Sequence, residues 1–203
     1  VRFCTALFWT AFAASSSLGQ STVGIFFQFD HDPSPAVLAA MRDETARLMA
    51  PAGFATIFQG SSPTTATPKA AFDTAFSVRL KGACHTAATL RLDSAGNLDP
   101  FAPSTVRLAA TRTSGRSVLP VAEVECDTIL SALRSVPLKR RSRIFGYALG
   151  RVIAHELYHL LLQSTGHGSN GLARAVVSWS ELLSDSLQFD AGDLHRLLHT
   201  TRR

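Results

Sequence analysis

At 203 residues the chain falls within the size range of one ordinary domain, and its 46% hydrophobic content is enough to bury a core. Charged residues make up only 17% and the net charge is +5, a balance that permits weak attraction to anionic surfaces and specifies no partner. After residues 1–20 no run is long and apolar enough to span a bilayer, so no stable membrane insertion is expected of the remainder.

Residues 1–20 differ from the rest: Arg2 gives a positive start, residues 3–14 form an apolar run, and residues 15–20 are small or polar. This is the pattern of a signal peptide, the plain alternative being a retained N-terminal helix. The predicted domain therefore covers 21–203, and the expected location is secreted or periplasmic. If Cys4 leaves with the signal, Cys84 and Cys126 remain as an isolated pair, which in an oxidising compartment predicts a disulfide.

Residues 23–29 are apolar and β-favouring and end at the turn-rich Asp30-His31-Asp32-Pro33, which predicts a strand. A helix follows: Ser34 caps it, Pro35 fits its first turn, and Val37, Leu38, Met41, Thr45 and Leu48 recur at helical spacing until Pro51 and Gly53 stop it. Residues 54–59 read as a second strand and 60–68 as a Ser/Thr/Pro-rich loop. Alternation of Phe76, Val78 and Leu80 predicts a strand over 74–80, with further short strands at 106–110 and 118–126. From 141 to 163 there is no proline, and Ile144, Ala148, Val152, Leu157 and Leu161 recur as in one long buried helix, with Gly166 just past its end. Two shorter helices, 179–187 and 191–200, are capped by Ser178 and Asp190.

The long helix carries the chemistry. Residues four apart project from one helix face, so His155 and His159 can bring two imidazole nitrogens to one ion. Glu156, beside the first ligand, is placed to take a proton from a zinc-bound water and deliver it to a leaving amine. This is why His-Glu-x-x-His needs both its residues and its spacing. A third ligand has two candidates. His167 follows Gly166, and a glycine there lets the chain reverse under the helix end. Glu181, with Asp185 one turn on as a carboxylate able to orient a liganding histidine, is the rival, although Ser178-x-x-Glu181 also reads as a capping box. His167 is preferred because a histidine after a glycine turn has no comparable structural explanation.

The segment Ala154-His155-Glu156-Leu157-Tyr158-His159 resembles the active-site helix of the zincin metallopeptidases. A wider stretch, Leu149-Gly150-Arg151-Val152-Ile153-Ala154 through His167-Gly168-Ser169-Asn170-Gly171, is similar to uncharacterised secreted bacterial zincin-like proteins. That likeness extends to Phe27-Gln28-Phe29-Asp30, Lys81-Gly82-Ala83-Cys84 and Glu123-Val124-Glu125-Cys126-Asp127. It implies zinc on His155 and His159 with Glu156 as general base. The metzincin pattern would put glycine at position 162 and histidine at 165, where this chain has Leu162 and Thr165, and no methionine follows Met49.

The expectation is an α+β zincin-like domain: a small mixed sheet, a long active-site helix and C-terminal helices. Zn2+ would be the cofactor, and the chain a monomeric zinc metallopeptidase acting on peptide or protein substrates laid along a sheet edge. The alternative is a secreted zinc-binding protein without catalysis, in a structural or partner-binding role. His195 and His199 repeat the four-residue spacing and are expected as a solvated helix face, with a second metal pair or an oxyanion donor as the rival. His31 and His85 are expected as structural or exposed, and Tyr147 and Tyr158 as packed rather than oxyanion donors. Lys139-Arg140-Arg141-Ser142-Arg143 lacks interleaved aromatic residues for base stacking, so it is expected to be solvated surface and no nucleic-acid partner follows.

Overall fold

The computed structural model describes residues 20–60, 72–84, 108–134 and 136–200. Residues 1–19 of the segment expected to be a signal peptide, His85 and most of the 60–68 loop lie outside them. Alternation builds the sheet: the strands β1 (Ser21–Phe29), β2 (Phe54–Gln59), β3 (Thr74–Lys81), β4 (Ala109–Ser114) and β5 (Ser117–Glu125) pair in the order β2-β1-β3-β5-β4. Among the described residues only β4 runs antiparallel to its neighbour, and it forms one edge. The register sets Phe27 beside Val78 and Val78 beside Ala122, so alternate residues line up across strands and are buried together.

Helices α1 (Pro35–Met49), α2 (Cys126–Ala132), α3 (Leu138–Leu162), α4 (Trp179–Leu182) and α5 (Ala191–Thr200) accompany the sheet and give the expected α+β class. Ser34 caps α1 with its hydroxyl 3.4 Å from the Val37 amide. α1 and α3 join the core through Val37, Met41, Leu149 and Ile153. They meet backbone to backbone at Gly146 and Gly150, where an added Cβ would lie 2.6 Å from the Val37 carbonyl oxygen and 2.7 Å from that of Met41. Beside this contact the buried Arg151 donates to Glu44 at 2.6 Å and to the Leu182 carbonyl at 2.6 Å. Burial pushes the Glu44 carboxyl up, but hydrogen bonds from Arg47 and Arg151 outweigh it and hold the group below its usual value.

Several boundaries depart from expectation. Of the strand expected at 106–110, residues 106 and 107 lie outside the described residues, Ala109 and Ala110 begin β4, and the strand continues through Thr111, Arg112, Thr113 and Ser114 before turning at Gly115 (φ 59) into β5. Those last four residues are polar, as suits the edge that β4 forms among the described residues, and polarity hides the strand's continuation from an alternation test. α2 begins at Cys126, which the sequence placed at the end of a strand, and α3 starts three residues before Arg141, at Leu138. The helix expected at 179–187 stops at Leu182. The turn after α3 is not made by Gly166: Gln163 takes the left-handed conformation (φ 49), and its amide bonds to both backbone groups of Val118 at 3.2 and 3.3 Å. Cys84 and Cys126 are joined, their sulfurs 1.98 Å apart, across 42 residues of sequence.

Candidate metal centre

His155 and His159 sit in the second half of α3, one turn apart, with Nε2 atoms 3.1 Å from each other. The Nδ1 of His155 is 2.8 Å from the Leu172 carbonyl and that of His159 is 2.8 Å from the Ser164 carbonyl. A carbonyl only accepts, so each Nδ1 carries the proton and each Nε2 presents its lone pair. The segment after α3 therefore orients both rings through its backbone. It also returns His167, whose ring centroid lies 4.6 Å from His159 and 5.4 Å from His155. The ligand atoms of the three histidines all lie within 4.8 Å of one another.

This segment is pinned from several sides. Gly168 donates to the Ala173 carbonyl at 2.8 Å and Leu172 to the Gln188 carbonyl at 2.9 Å. Gly171 has φ 61, and a Cβ there would run into the Gln188 carbonyl oxygen, so both conformation and space demand glycine. Burial, opposed by the Leu172 carbonyl, holds His155 below its usual pKa. Burial together with the neighbouring imidazole does the same to His159 and to His167. The cluster therefore offers neutral imidazoles at neutral pH, the form that binds a cation.

The donor set fits a divalent metal. Bonds of about 2.0–2.1 Å at a tetrahedral angle put two nitrogens roughly 3.3–3.4 Å apart, and the His155–His159 separation of 3.1 Å is close to that bite. Glu156 is buried on the same turn and accepts a hydrogen bond from the Thr111 hydroxyl of β4. These groups open onto a cleft of about 420 Å³. Leu108 and the first residues of β4, to Thr111, form one wall, Arg174 to Val177 another, and Val152, Leu172 and Leu182 add apolar surface.

The rival ligand lies elsewhere. Glu181 accepts from the Ser178 amide at 2.9 Å and its hydroxyl at 2.7 Å, and is paired with Arg174 at 2.5 Å. The Ser178 contacts first, then Arg174, hold its pKa down at about 2. Asp185 is an exposed carboxylate 3.7 Å from Arg151, and the partners orienting the histidines are carbonyls instead. Tyr158 is buried, donates its hydroxyl to Asp193 at 3.0 Å, and has its pKa raised to about 12, first by burial and then by that carboxylate. Tyr147 accepts from Arg143, and His31 lies 3.3 Å from the Gly82 carbonyl. Within the basic run Arg141 is buried and donates to the Val136 and Arg134 carbonyls just past α2. His195 and His199 lie on the exposed side of α5.

Sequence reasoning missed Thr111, the Leu172 and Ser164 carbonyls, and the buried Asp193 behind Tyr158. Carbonyls carry no residue signature, and Thr111 lies one residue past the end expected for its strand. No protein-family model matches the chain and no curated protein matches it, so the centre is read from its own residues.

Proposed function

We propose that the chain is an exported zinc-dependent peptidase of the zincin type, with His155, His159 and His167 as ligands and Glu156 as general base. The observation that carries this is the convergence of three imidazoles, two with their tautomers set by carbonyls, beside a buried glutamate that faces an open cleft. When bound, zinc supplies Lewis acidity, which acidifies water and polarises a carbonyl. Glu156 accepts the proton released as water oxygen bonds to the scissile carbon, then passes it to the nitrogen as the C–N bond breaks. Thr111 holds the carboxylate in place for both transfers. Among the described residues β4 has one neighbour in the sheet, and its outer edge can align an extended peptide across the cleft. Export is supported by the Cys84–Cys126 bridge. Among the described residues no helix is long and apolar enough to cross a membrane.

The test is metal content by elemental analysis of the wild type and of Glu156→Ala, paired with cleavage of a broad peptide library. Both proteins should retain zinc while the variant loses about 10²–10⁴-fold in rate. Zinc in both with cleavage by neither would assign the non-catalytic binding role. A wild type without metal would remove the proposal.

A further inference from the structure

We propose that His195 and His199 form a second, surface-borne chelate for a divalent transition metal of the imidazole-binding group (zinc, copper or nickel), separate from the centre on α3. α5 buries Asp193 and Leu197, one turn apart, and Asp193 is fixed by the Tyr158 hydroxyl and by Arg196. His195 and His199 are each two residues further along, a rotation of about 200°, so the buried contacts that anchor the helix turn both imidazoles to solvent. There the rings converge. Their Nε2 atoms are 3.2 Å apart, with centroids at 4.4 Å and ring planes at 83°. The α3 pair shows 3.1 Å, 4.8 Å and 76°.

Among the described residues each of these two exposed rings packs edge-on against the other. Each makes its side-chain hydrogen-bond contact with the other. The separation is close to the bite of roughly 3.3–3.4 Å that two nitrogens need on one tetrahedral ion. Imidazole favours the zinc, copper and nickel group over calcium or magnesium. The surface pair differs from the α3 centre in two respects. No carbonyl sets its tautomers, and the metal cluster of three histidines found among the described residues does not include it. Two protein ligands leave the remaining positions to water, so the α3 centre fills first.

The experiment is a calorimetric titration of nickel into the metal-stripped, disulfide-intact full chain. Wild type should take up two equivalents, His199→Gln one, and His155→Ala/His159→Ala one, which adding His199→Gln removes. A second equivalent that survives in His199→Gln, or a wild type that binds a single equivalent lost with the α3 pair, overturns the proposal. Because the α3 variants can fail to fold, a second measurement uses wild type alone: diethyl pyrocarbonate labelling mapped by mass spectrometry. Protection of His195 and His199 that appears only after the first equivalent supports the site. Full labelling of both at saturating nickel refutes it.

Discussion

Glu156 and Thr111 couple two elements: the proposed base rides on α3 and the hydroxyl that holds it comes from β4. Thr111→Val keeps the shape and removes the donor. A hydrogen bond to a charged group is worth about 1.5–3 kcal/mol, so kcat/KM should fall roughly ten- to a hundredfold. Bound zinc, measured by elemental analysis, should not change, because Thr111 touches no ligand. Loss of zinc in this variant would show that the contact is structural. The histidines add a pH signature. With folded values held below 6.5 by burial, the unfolded chain binds more protons than the folded one just below that pH. The stability that these three histidines contribute to the metal-free protein is therefore fully present above 6.5 and declines as pH falls below it. Thermal melts on either side of that pH check the sign, and a metal-free Tm that rises on acidification would contradict it.

Between elements the tightest joint is α1 against α3. Gly150→Ala adds a methyl 2.7 Å from the Met41 carbonyl oxygen and 2.9 Å from the Glu44 Cβ, neither a flexible side-chain end. Helix propensity favours the change by up to about 1 kcal/mol, but forcing two packed backbones apart costs about 1–3 kcal/mol and pulls Glu44 from Arg151. The net should be a destabilised protein in urea titration. A more stable variant would mean that the helices can slide. This joint also shows where the sequence was legible. Both helices declared themselves through periodic apolar residues, and the His155–His159 pair through its spacing, because these signals lie within one element. The glycine contact, the Glu44–Arg151 pair and the carbonyls of Ser164 and Leu172 depend on how elements meet. Gly166 misled because glycine is the usual left-handed residue, whereas here Gln163 adopts that conformation and its amide grips Val118.

At the scale of the whole molecule the cysteines test how the fold is held. β3 and β5 are adjacent parallel strands, with Lys81 opposite Glu125, and the chain reaches one from the other through residues 82–116, including β4. The Cys84–Cys126 bridge closes that excursion at the far end of both strands. The pairing was legible by elimination once Cys4 was set aside, but its placement was not, since the excursion conceals which strands are neighbours. On the chain-entropy model a 42-residue separation corresponds to about 4 kcal/mol, taken from the unfolded state. Cys84→Ser/Cys126→Ser should thus lower Tm by roughly 8–16 °C for a domain of this size. Neither cysteine lines the cleft, so the folded variant should bind the same number of metal equivalents as the wild type. Differential scanning calorimetry with and without zinc separates the two effects: the bridge sets the baseline and the metal adds its own increment. An unchanged baseline would mean that the bridge strains the native state by as much as it restrains the unfolded one. A lost metal increment would mean that the crossover, rather than α3 and the segment after it, organises the centre.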